Sequence, residues 1–172
     1  MNKIILAITF LALSFNCSLA FAAPDEVYLF RHSEKLTGKN PALSEEGKAR
    51  ANNLVTLFKE HQNIHLFSSN YKRTLQTAAP LQAHFNTKLN VYNAGELGDL
   101  KNELLKLKGV VVVIGHSNTT PQLAELLSNE KVPAMSETQF TQYFILHNKP
   151  RSNGTDYDVT HHTMSLLCNI KY

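Results

Sequence analysis

Cysteine is almost missing from this chain: there are two in 172 residues, Cys17 and Cys168. That excludes the disulfide framework that staples many small exported domains, so the core must hold the fold by burial. Charge of one sign is scarce as well. Seventeen Lys and Arg face 14 Asp and Glu, a formal net charge of +3. With no basic run and no interleaving of aromatic and basic residues, nothing points to nucleic acid or to an anionic membrane surface. Long apolar runs are also lacking. The clearest, Ile4 to Phe15, is short of the ~20 residues that a membrane span needs. Internal repeats and low-complexity linkers are absent, and a chain of this length is expected to form one domain.

The first residues follow a different logic from the rest. Lys3 gives a positive start, the apolar run follows, and Ala20-Phe21-Ala22 puts small residues where a signal peptidase reads. This pattern predicts a secretory signal peptide over residues 1–22, cleaved after Ala22, and an exported protein, periplasmic or secreted. The expected domain is then 23–172, with Cys168 as its only cysteine and no stable membrane insertion after cleavage.

From there the chain alternates short apolar runs with amphipathic stretches. Strands are expected at Glu26–Phe30, Ile64–Phe67, Leu89–Tyr92, Val110–Ile114, Gln142–Leu146 and Thr163–Leu167. Between them, Ser44 reads as the N-cap of a helix whose first turn holds Glu45 and Glu46, with Ala49, Leu54, Leu57 and Phe58 as its apolar stripe. Further helices are expected at Arg73–Phe85 despite Pro80, at Asp99–Leu107 ended by Gly109, and at Pro121–Leu127. Ser152-Asn153-Gly154 reads as a turn. This alternation predicts an α/β fold, a three-layer sandwich with a mostly parallel central sheet flanked by helices. Ligands of such sheets sit beyond the carboxyl ends of the strands.

Three strand ends carry chemistry. The first runs into Arg31-His32, the second into Ser68-Ser69 with Arg73 a helical turn later, and the apolar central strand into Gly115-His116-Ser117. If these ends converge, the pocket is cationic and suits a phosphate monoester, because the arginine fork matches phosphoryl oxygens. A neutral imidazole can attack phosphorus, and a second, protonated one can stabilise the transition-state charge. Such chemistry is mostly positioning and charge neutralisation, so neither a metal nor another cofactor is required in principle.

At these residues the chain resembles the histidine phosphatase superfamily, which includes phosphoglycerate mutases and many phosphatases. "YLFRHSEK" is similar to the family's Arg-His-Gly motif, with Ser33 in the glycine position. "SSNYKRTLQTA" is similar to its Ser-Ser-and-arginine motif, and "VVVVIGHSNT" to the strand that carries its second histidine. "NPALSEEGKARANNL" also resembles the segment after the first motif. The resemblance spans nearly all of 23–172, in order, and implies a phosphoglycerate mutase-like fold. It implies His32 as the nucleophile that becomes phosphorylated, Arg31 and Arg73 as phosphoryl ligands, and His116 opposite His32. Ser33 is small enough for its place and could add a hydroxyl to the phosphate. The general acid is sought between Arg73 and His116, where Glu96, Asp99 and Glu103 are offered. Glu96 is preferred, since Asp99 reads as a helix N-cap and Glu103 as a solvated helix residue; Asp99 stands second, and the resemblance also allows that no acid in this stretch serves.

The expected function is hydrolysis of a small phosphorylated substrate through phosphohistidine. The alternative is a module that binds phosphate or a phosphorylated ligand without turnover. His161-His162 is not read as a metal site, because neighbours on a strand face opposite ways. Specificity is expected from three loops: Lys35 to Pro41, Asn93 to Asp99, and Glu130 to Gln139.

Overall fold

The computed structural model describes residues 23–151 and 154–164. The expected leader 1–22, Ser152 and Asn153 of the expected turn, Cys168, and most of the strand expected at Thr163–Leu167 lie outside the described residues.

Among the described residues, six strands form one sheet: β1 Glu26–Arg31, β2 His65–Ser69, β3 Leu89–Tyr92, β4 Val110–Gly115, β5 Gln142–Arg151 and β6 Gly154–Thr163. Their order across the sheet is β3-β2-β4-β1-β5-β6. β3, β2, β4 and β1 run parallel, while β5 and β6 form an antiparallel hairpin along the edge beyond β1. Four α-helices cover the sheet: α1 Glu45–Leu54, α2 Lys72–Phe85, α3 Leu97–Leu104 and α4 Thr119–Ser128. The chain thus forms the expected α/β sandwich around a mostly parallel sheet.

Alternation along the strands builds the two halves of the core. Val27 and Leu29 of β1, with Val111 and Val113 of β4, face α3 and α4 through Leu97, Leu100, Leu104, Leu123 and Leu127. Tyr28, Phe30, Val112 and Ile114 face the other way and pack with Leu54, Phe58, Ala78 and Leu81 of the α1–α2 side. This two-sided burial explains why the central strands read as unbroken apolar runs. Each fully buried large side chain, such as Phe58 or Leu81, contributes roughly 1.5–3 kcal/mol of transfer free energy.

Local sequence accounts for most element ends. Ser44 caps α1 by accepting from the Gly47 amide at 3.1 Å, with Glu45 and Glu46 in the first turn. α2 runs unbroken through Pro80 and ends on Asn86 in a left-handed conformation (φ 45°). α3 differs from expectation. It starts at Leu97, two residues before Asp99, and Glu96 rather than Asp99 is the N-cap residue. Leu97, Leu100 and Leu104 form its buried stripe, and burying Leu97 pulls the start forward. The α1 stripe also shifts. Ala49 is exposed, whereas Ala51, Leu54 and the charged Arg50 are buried. Arg50 is accepted inside because its Nε lies 2.8 Å from both carboxylate oxygens of Glu34. β6 occupies Gly154–Thr163, a stretch where no strand was expected before Thr163. It pairs with β5 over its whole length, as an edge strand with Tyr157 as its deeply buried side chain.

The amino end of β1 is pinned at the base of the sheet. The Pro24 carbonyl accepts from Tyr157 Oη at 3.1 Å and from Asn148 Nδ2 at 3.0 Å. The Asp25 amide donates to the Gly109 carbonyl at 2.8 Å, and the Asp25 carbonyl accepts from the Asn148 amide at 2.9 Å.

Candidate active site

Strand register brings the three chemistry-bearing ends together. Arg31 of β1 is level with Gly115 of β4, and Ser68 of β2 is level with Ile114 of β4. β4 lies between the other two, so His32, Ser69 and His116 emerge side by side. The His32 amide donates to the Gly115 carbonyl at 3.0 Å, which ties the first motif to the third. Gly115 has no room for a side chain: an added Cβ would lie 2.9 Å from Thr119 Oγ1 and 3.0 Å from Tyr92 Oη.

His32 is 3 % exposed, and its Nδ1 lies 2.8 Å from the Ser33 carbonyl. A carbonyl only accepts, so Nδ1 carries the proton and the ring's lone pair is on Nε2. Burial, reinforced by Arg31, Arg73 and His116, pushes its pKa down to about 3. Burial thus favours the neutral form of His32, the form in which an imidazole has a lone pair to give. His116 faces it edge-on, with ring centroids 5.7 Å apart. Arg73 donates through NH2 to His116 Nδ1 at 3.2 Å, which makes that nitrogen an acceptor. Nε2–H then donates to Ser69 Oγ at 2.9 Å. Burial, followed by the nearby Arg73 and Arg31, pushes the His116 pKa down to about 4. With burial and two guanidiniums beside it, the neutral form of His116 is favoured while no phosphoryl anion faces it.

Around these rings lies a cavity of about 380 Å³, lined by His32, Lys35, Tyr71, Arg73, Ala94, Gly95, His116, Ser117, Asn118, Thr119 and Glu137. Arg73 lies against the Tyr71 ring, 4.6 Å from guanidinium carbon to centroid. The start of α4 opens onto the cavity through Asn118 and Thr119, and helix N-termini favour anions. A larger cavity of about 550 Å³ lies between α3 and α4, lined by residues such as Leu97, Lys101, Gln122 and Glu130. It has neither histidine nor arginine in its wall, so its size does not make it the reactive site.

The remaining sequence candidates are placed unevenly. Ser33 is buried; its amide donates to Thr77 Oγ1 at 3.0 Å, and its backbone is not in the left-handed region, so the position does not demand glycine. Arg31 is deeply buried and is not part of the cavity wall. Its NH1 donates to the carbonyls of Ser136 (2.7 Å) and Gln139 (3.3 Å), and its guanidinium lies over the Phe140 ring. Its NH2 pairs with Glu137 at 3.4 Å. Glu96 is exposed at the N-cap of α3 and lies outside the cavity wall, although Ala94 and Gly95 are in it. Asp99 and Glu103 are exposed on α3.

Sequence reasoning missed Glu137, Ser117 and the role of Ser69. Ser117 Oγ donates to Glu137 Oε1 at 2.5 Å. That hydrogen bond, and then Arg31, hold the Glu137 carboxyl below the usual carboxylate range. His161 and His162 do face opposite ways, packing on Phe144 and Tyr143 respectively. Among the described residues no group of three or more His, Cys, Asp or Glu is arranged to hold a metal ion.

Residues 27–101 match the sequence model of the histidine phosphatase superfamily (branch 1). No curated protein matches the chain in sequence. Among solved structures, the chain is similar to the mycobacterial glucosyl-3-phosphoglycerate phosphatase, with a TM-score of 0.66 at 13% identity, over 82% of this chain and 99% of that one. The same protein solved with inorganic phosphate matches with a TM-score of 0.65 at 14% identity, over 82% and 98%. The protein histidine phosphatase SixA complexed with tungstate matches with a TM-score of 0.56 at 16% identity, over 80% and 96%. These likenesses establish a shared fold.

Proposed function

The chain belongs to the histidine phosphatase superfamily, and from that premise we propose that it hydrolyses a small phosphate monoester through a covalent phosphohistidine on His32. The observation that carries this reading is the state of His32 itself. It is buried and neutral, with its Nδ1 proton given to the Ser33 carbonyl and its Nε2 lone pair left for phosphorus. Nε2 attacks phosphorus as the ester oxygen departs, and water then cleaves the P–N bond. Arg73, and Arg31 once its NH2 is released from Glu137, bind the phosphoryl oxygens. His116 presents an imidazole opposite, oriented by Ser69 and Arg73. Two guanidiniums supply the charge neutralisation, so no metal is asked of the reaction. The names of the similar structures, a glucosyl-3-phosphoglycerate phosphatase and a protein histidine phosphatase, and their phosphate and tungstate complexes support this reaction class.

The test is hydrolysis of 4-nitrophenyl phosphate by the purified protein, with acid-labile phosphate trapped on the enzyme. Wild type should release phosphate, with or without a chelator, and become labelled, while His32→Ala should do neither. Tight phosphate binding without label or turnover would make the protein a binding module instead.

We also propose that residues 1–22 direct export. The support is Lys3, the Ile4–Phe15 run and Ala20-Phe21-Ala22. N-terminal sequencing of the exported form should begin at Ala23; a start at Met1 would refute cleavage.

A further inference from the structure

A departing alkoxide needs a proton, and the cavity wall answers which group gives it. Of the three acids between Arg73 and His116, Glu96, Asp99 and Glu103, none lines the cavity. The wall holds one carboxylate, Glu137, which comes from the far side of the sequence, after the second histidine. It reaches in from the segment before β5, with Oε2 on Arg31 NH2 at 3.4 Å and Oε1 taking the Ser117 hydroxyl. Its neighbours on that segment anchor the reach, because the carbonyls of Ser136 and Gln139 are bonded to Arg31 NH1.

We propose that Glu137 is the catalytic acid and base of this site, acting on the hydrolysis inferred above. The division of labour on Arg31 makes this workable. NH1 fixes the segment's backbone, while NH2 alone holds the carboxylate. An incoming phosphoryl group exchanges with the carboxylate at NH2 and leaves the backbone anchors in place. The carboxylate then lies next to a phosphoryl anion, and like charges at short range favour its protonated form. In the free protein the groups facing it are Arg31 from β1, Ser117 from the end of β4, and His32 and Lys35 beyond β1. The hydrogen bond and the guanidinium keep it ionised there, so substrate arrival is what loads the proton.

The step balances. His32 Nε2 forms the bond to phosphorus, the bond from phosphorus to the ester oxygen breaks, and that oxygen takes the Glu137 proton to leave as the alcohol. The Glu137 carboxylate then takes a proton from water as the water oxygen attacks phosphorus. The P–N bond breaks, phosphate leaves, and His32 regains its lone pair.

The test compares two esters in wild type, Glu137→Gln and Glu137→Asp, reading kcat/KM, which reports phosphorylation of the enzyme. An alkyl phosphate needs its leaving group protonated, whereas 4-nitrophenolate leaves readily without a proton. Glu137→Gln should lose about 100-fold or more on the alkyl phosphate, and less than about tenfold on the aryl phosphate. Glu137→Asp should recover part of the alkyl loss. The Glu137 side chain is 80 % exposed, and both variants should unfold at the wild-type temperature. Equal losses on the two esters, or none on either, would overturn the assignment while the aryl turnover and label on His32 keep the phosphatase reading standing. Loss of label in wild type would instead sink the phosphatase reading.

Discussion

Lowering the pH from 7 to 5 should cost this protein stability through two side chains of its histidine-lined cavity. His32 and His116 are 3 % and 8 % exposed, and their pKa values are pushed down to about 3 and about 4. In the unfolded chain each imidazole titrates near ~6.5. Between those values the unfolded chain binds a proton that the folded chain refuses. The contribution to stability is therefore full above the unfolded pKa and falls as pH drops below it. The limiting slope is about 1.4 kcal/mol per pH unit for each histidine, so each removes about 2 kcal/mol between pH 7 and 5. The assay is urea unfolding at both pH values for wild type, His32→Gln and His116→Gln. Wild type should lose about 2 kcal/mol more on acidification than either variant, whatever their starting stabilities, because the other titrating groups are shared. Equal losses would refute the neutral, desolvated imidazoles and, with them, the free lone pair on His32.

Two more substitutions probe the frame around the site. Gly47→Ala would put a Cβ 2.0 Å from the Glu34 carbonyl oxygen, so either α1 or the turn after His32 must move. Thermal unfolding should report a loss of about 1–3 kcal/mol, and kcat/KM should fall with it. Arg73→Lys keeps a charge but loses the fork that reaches His116 and, in the proposed reaction, holds the phosphoryl group. Isothermal titration with inorganic phosphate should show affinity weaker by about tenfold or more.

The parallel sheet and its reactive edge were legible because the strands advertise themselves twice. Val110 to Ile114 is apolar on both faces, and its end in Gly115-His116 matches the ends of β1 and β2 in register. The start of α3 was misplaced because Asp99 looks like a cap, while the burial of Leu97 that decides the matter is a tertiary fact. Arg50 was invisible as a buried residue, because a stripe counted from apolar residues alone passes over a charge whose partner, Glu34, lies in the loop after β1. β6 is an edge strand of mixed polarity and carries little periodic signal. Glu137 could not be found by motif at all. The segment Glu130 to Gln139 was marked as a specificity loop, but only the meeting of residues 31, 117 and 137 singles out one acid within it.

The pinned start of β1 fixes more than a hydrogen-bond network. Tyr157 and Asn148 hold Pro24 at the end of the sheet from which β1 departs, and β1 delivers His32 at the other end. Ala23 and Pro24 therefore lie at one pole of the domain and the His32 cavity at the opposite one. A bead, a carrier or a surface coupled through Ala23 itself will hold the molecule with the His32 cavity turned outward. A protein immobilised that way should meet bulky phosphorylated partners as freely as it does in solution, whereas one attached near Asn118 or Glu137 should not.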